Sequence, residues 1–107
     1  MSNKKYLRKN EIREDLNPAH RNKYGSTHDA VITARLGHKF KANTITHSKY
    51  VHGIECLDLE PYSKNKRHKR ISPPFMQNAK LFGPKKNKKI PKKDFRMIQK
   101  YNKKFYK

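Results

Sequence analysis

The chain has 107 residues and a mass of 12.8 kDa, which leaves room for one domain and excludes a two-domain enzyme. Lys and Arg number 28 against 8 Asp and Glu, so the formal charge is +20, a balance that seeks polyanions. Only 33% of residues are hydrophobic and Trp is absent, so the expected core is small, with charged arms around it.

A single cysteine, Cys56, excludes an intramolecular disulfide, and without a CxxC pair there is no zinc-thiolate signature. The N-terminal stretch lacks an apolar segment behind its basic residues, and no long apolar run follows. These features point to a cytoplasmic protein in a reducing compartment.

The charge is unevenly spread. Residues 1–27 hold seven Lys/Arg against three acids, residues 28–63 hold four of each, and residues 64–107 hold 17 Lys/Arg against Asp94 alone. The expected organisation is a basic N-terminal arm over 1–26, a small β core over 27–83, a basic linker over 84–93 and an amphipathic helix over 94–107. The predicted fold is mainly β with α: a small antiparallel β-barrel or curled sheet with a C-terminal helix and partly flexible arms.

In chain order, Leu7, Ile12 and Leu16 make a poor helical stripe that Asn17-Pro18 stops. Residues 28–35 are short and β-branched, Leu36-Gly37 punctuates them, and 38–47 alternates, with Phe40, Ala42, Thr44 and Thr46 on one face. That pattern predicts a β-hairpin. Ile45 breaks the alternation, which implies cover on both sides or a bulge. A third strand is expected over Val51–Leu59, interrupted at Gly53 and ended by Pro61. Residues 63–70 read as a basic loop, and the prolines of Ile71-Ser72-Pro73-Pro74-Phe75 require an extended chain. Residues 84–93 read as a low-complexity linker. Beyond it Phe95, Ile98, Tyr101 and Phe105 recur at helical spacing, with Asp94 at the start and lysines towards the end, in accord with the helix dipole.

The densest set of reactive side chains is Thr46, His47, Ser48 and Lys49, with His28 at the start of the preceding strand. A hairpin would bring His28 towards His47. Two imidazoles and a cation such as Arg35 or Lys49 meet the needs of RNA cleavage by 2′-hydroxyl attack: a base, an acid and stabilisation of the phosphorane. The same residues equally suit half-exposed strand positions that touch phosphate. No metal-ligand spacing surrounds the histidines, so neither metal nor cofactor is expected. Cys56 lies among apolar residues and reads as a small core side chain.

Aromatic residues interleave with basic ones, which suits bases stacking on rings while cations hold the backbone. Tyr50, Tyr62 and Tyr106 are the candidates left for stacking, because Phe95, Tyr101 and Phe105 are needed to pack the helix. Lys66, Arg67, Lys69, Arg70, Lys85, Lys86, Lys88 and Lys89 are the candidate phosphate contacts.

Residues 27–104 resemble a group of small basic proteins of bacterial mobile elements. The resemblance is carried by His28-Asp29-Ala30-Val31, Lys39-Phe40-Lys41, Ile45-Thr46-His47-Ser48, Ile71-Ser72-Pro73, Phe82-Gly83 and the basic segment 94–104. In rhythm the chain is also similar to the MazF/PemK-like toxin barrels, with Thr46 and Ser48 matching their second motif. That likeness implies a small RNA-cleaving barrel and an acidic antitoxin as partner, although this chain has His28 where those proteins have Arg, and His47 where they have no His. The expectation is a nucleic-acid-binding protein, directed to RNA more than DNA, in its sharper form a toxin endoribonuclease. The alternative is a binder without catalysis: a mobile-element accessory factor, an inhibitor of a nucleic-acid-guided defence complex, or a ribosome-associated protein.

Overall fold

A computed structural model describes residues 7–105. Eight strands and one helix follow in order: β1 (Glu11–Asp15), β2 (His28–Leu36), β3 (Lys39–Thr46), β4 (Tyr50–Val51), β5 (Ile54–Glu55), β6 (Leu57–Asp58), β7 (Arg70–Asn78), β8 (Phe82–Lys89) and α1 (Lys92–Asn102). Six strands form one antiparallel sheet in the order β6-β7-β3-β2-β1-β8, and β4 and β5 form a separate two-stranded ribbon. The fold is therefore mainly β with a C-terminal helix. The sheet is open, with β6 and β8 at its edges, and does not close into a barrel.

The predicted hairpin is β2–β3. Its turn is Gly37-His38, and Gly37 sits at φ 66°, a conformation that glycine adopts without steric cost. Alternation sends Ala30, Ile32, Phe40 and Ala42 to one face, where they pack with Leu7 and Phe82. Val31 goes to the other face, with Ile12, Leu59, Ile71, Ile90 and Ile98, and the partly buried Ile45 joins this set. Ile45 breaks the polar pattern because both faces are covered at its position. A register shift in β7 opposite Thr44 accompanies it: Asn43 pairs with Pro74 but Ile45 pairs with Ile71. Pro73 and Pro74 are tolerated there because β6 pairs with β7 only at Arg70 and Ile71, which leaves the outer side of the strand without ladder donors to satisfy.

Three expectations are corrected. The segment assigned to a partly helical arm contains β1, held between β2 and β8, followed by a short 3-10 turn at Pro18–His20. The stretch expected to be a linker supplies most of β8, where Arg13 pairs with Lys85 and Glu11 with Lys89. Cross-strand pairing overrides composition in both cases, and lysines suit β8 because charge on an edge strand discourages further strand addition. The third strand expected over 51–59 is divided among β4, β5 and β6. The first six residues and Tyr106-Lys107 lie outside the described residues.

The helix packs as its spacing predicts. Ile98 and Tyr101 are buried, Phe95 is half-buried, and Phe105 stands edge-on to Tyr101 with ring centroids 5.2 Å apart. Two polar contacts fix the helix position. Asn43 and Asn102, both buried, exchange amide hydrogen bonds of 2.8 and 2.9 Å, and Asn43 also donates to the Ser72 carbonyl. The Tyr101 hydroxyl donates to the Glu55 carbonyl at 2.7 Å.

Candidate functional site

On the face away from the helix lies a cleft of about 700 Å³. Its walls are the 19–24 loop, the start of β2, the end of β3, the β4–β5 ribbon and residues 72–75 of β7. The lining includes His20, Arg21, Lys23, His28 and His52, the hydroxyls of Thr44, Thr46, Ser48 and Ser72, and no Asp or Glu.

Each wall has a local cause. Asn17 caps the 3-10 turn by accepting from Ala19 N at 3.0 Å, which turns the chain back over β1. Asn22 then accepts from Tyr24 N and Ser26 N, and this Asx-type turn presents Tyr24, which is 80% exposed. The ribbon turns at His52 and Gly53, both in the left-handed region, with φ of 52° and 76°. This is the conformation of a two-residue hairpin turn, and it is unusual for a histidine.

The most constrained group in the wall is His20. Asp15, whose side chain is fully buried, accepts from Asn17 N and Gln77 Nε2 on Oδ1, each at 3.0 Å. Its Oδ2 lies 2.7 Å from His20 Nδ1. Phe75 meets the imidazole edge-on, with centroids 4.7 Å apart. His28 is the direct cross-strand partner of Asp15. Residues so paired share a face of the sheet and lie within about 5.5 Å at Cα.

A second His–Asp pair lies outside the cleft. His68 Nδ1 contacts Asp58 Oδ2 at 2.8 Å and its Nε2 contacts the Ser63 carbonyl at 3.0 Å. The Asp58 hydrogen bond raises the His68 pKa above its usual range, against an opposing effect of burial. Burial pushes the Asp58 carboxyl up, but the hydrogen bonds from His68 and Glu60 N outweigh it and leave the pKa lowered. Arg70 adds a 3.5 Å ion pair to the same carboxylate.

Of the sequence-predicted residues, His28, Thr46 and Ser48 line the cleft. His47 does not: its Nδ1 donates to the His68 carbonyl, so the expected pairing of His28 with His47 is replaced by His28 beside Asp15 and His20. Lys49 lies outside the lining, and Arg35 is at the far end of β2, donating to the Gly37 carbonyl. Lys66, Arg67 and Lys69 are exposed on the loop before β7. Arg70 is buried and donates to the His47 carbonyl at 2.8 Å, which makes it a structural cation rather than a phosphate contact. Lys85 and Lys86 reach Glu11 and Asp29 at 3.8 Å, while Lys88 and Lys89 are exposed on the edge. Tyr50 and Tyr62 are 61% and 96% exposed. Cys56 is buried, and burial, followed by Glu55 against an opposing Arg70, pushes its thiol up.

Sequence reasoning missed Asp15 and His20. The available signal was Asn17-Pro18, which marks a turn between them and was read only as a helix stop. Among the described residues no group of three or more His, Cys, Asp or Glu gathers closely enough to hold a metal ion, and no helix is long and apolar enough to cross a membrane. No protein-family model, curated protein or solved structure matches this chain.

Proposed function

We propose that the protein binds single-stranded RNA along this cleft. The observation that carries the reading is a lining of three imidazoles, Arg21 and Lys23 with no carboxylate, bordered by an exposed tyrosine. Cations hold the phosphates, hydroxyls reach sugar and base edges, and a ring such as Tyr24 takes a base stack, the division of labour that single-strand binding requires. Lys66, Arg67 and Lys69 extend the phosphate path, and the net charge of +20 steers the polyanion in.

The test is fluorescence anisotropy of a labelled single-stranded RNA over a range of salt concentrations, with DNA of the same sequence and an acidic polypeptide as competitors. Arg21→Gln with Lys23→Gln should weaken binding and lower the slope of log K against log salt by about 0.7 for each phosphate that is no longer neutralised. If this double variant keeps the parent's affinity and slope, the cleft is not the binding site. Preferential displacement by the acidic polypeptide would point to a protein partner instead.

A further inference from the structure

We propose that the cleft also cleaves the RNA it binds, with His20 as general base and His28 as general acid; this rests on the RNA-binding reading. Asp15 is committed through Oδ1 to Asn17 and Gln77, which leaves Oδ2 to receive His20 Nδ1–H. That bond fixes the tautomer, so Nε2 carries the lone pair. Among the described residues Nε2 makes no protein hydrogen bond, and the side chain is 32% exposed in the cleft wall. Phe75 holds the ring plane. His28, opposite Asp15 on the neighbouring strand, has no such bond and is a second proton carrier on the same wall. The other charged or titratable groups around the pair are Arg21 and Lys23 from the loop and His52 from the ribbon. Thus an oriented base, a neighbouring acid and cations for the phosphorane stand in one cleft.

The step balances without a co-reactant. His20 Nε2 takes the proton of a ribose 2′-hydroxyl as that oxygen bonds to the adjacent phosphorus. The bond from phosphorus to the 5′-oxygen breaks, and protonated His28 gives its proton to the leaving oxygen. The products are a 2′,3′-cyclic phosphate and a 5′-hydroxyl end. Asp15 and Gln77 are positioning residues.

The experiment incubates the purified chain, in EDTA, with end-labelled single-stranded RNA, its 2′-deoxy counterpart, and RNA carrying one 5′-thio leaving group. The parent should leave cyclic phosphate ends on RNA and spare the 2′-deoxy strand. His20→Ala and His28→Ala should each lose about 10²- to 10⁴-fold in rate while binding RNA as before. A thiolate leaves without a proton, so His28→Ala should cut the 5′-thio substrate at the parent's rate whereas His20→Ala should not. Asp15→Asn should shift the acid limb of the pH–rate profile, a change that loss of fold alone does not produce. A parent that binds RNA and leaves it intact overturns the cleavage proposal and leaves the binding reading standing. Cleavage undiminished in both histidine variants also overturns it, and failure to bind RNA overturns both readings.

Discussion

The molecule has two His–Asp pairs built from the same chemistry and put to different ends. In the Asp58–His68 pair both ring nitrogens meet an acceptor, so the imidazole is used up in tying the 59–69 loop to β6 and β7. In the Asp15–His20 pair only Nδ1 is engaged, the carboxylate is buried, and the ring faces a cleft. A histidine bonded through both nitrogens is a fastener, whereas one bonded through a single nitrogen has a second left for chemistry. The residue types at the two sites are identical, and only the surroundings separate them.

The largest expected effect comes from removing the buried carboxylate. Asp15→Ala strands three donors, His20 Nδ1, Asn17 N and Gln77 Nε2, in a site sealed by the sheet, and should cost about 3 kcal/mol by denaturant unfolding. Asp58→Ala should cost clearly less, because its side chain is 27% exposed and water replaces the missing partners. Equal losses would erase the distinction between the two pairs.

The second prediction concerns pH. The raised pKa of His68 means that its contribution is complete below its ordinary value of 6.5 and is lost as pH rises through the folded value. Asp58, whose pKa is lowered, contributes fully above its ordinary 3.8 and loses this as pH falls through the folded value. The fastener is therefore strongest between those two ordinary values. The difference in Tm between parent and His68→Gln should be largest near pH 5 and shrink towards pH 8; a difference that grows with pH would contradict the assignment.

A smaller effect tests how firmly the helix is held on the opposite face. Burial, with Cys56 and Glu55 adding to it, pushes the Tyr101 phenol up to about 12. In a spectrophotometric titration one of the six tyrosines should ionise near that value. Tyr101→Phe should remove this late step and cost about 1 kcal/mol, the worth of its bond to the Glu55 carbonyl.

What the sequence made legible was local. The β2–β3 hairpin follows from alternation about Gly37, and α1 from the spacing of Phe95, Ile98 and Tyr101. Neither β1 nor β8 has such a signal. EIRED is mostly charged and PKKNKK almost entirely polar, and both become strands because β1 lies between β2 and β8, partners far away in the chain. The site divides in the same way. His28, Thr46 and Ser48 were found because they flank the hairpin, whereas Asp15 and His20 depend on the Asn17 turn and on Gln77, 62 residues from Asp15. His47 was misplaced because its ring is drawn to the carbonyl of His68, a loop residue that no pattern near His47 announces.

The reciprocal amides of Asn43 and Asn102 make helix docking all-or-none. An apolar seam alone tolerates sliding, since one aliphatic contact resembles the next. Here a displacement by a single turn would bury two carboxamides facing hydrocarbon, so every misaligned seating is penalised and only one is rewarded. The helix is thus read into place like a key whose bitting has a single depth, and the sheet beneath it receives the same pressure in every folded copy.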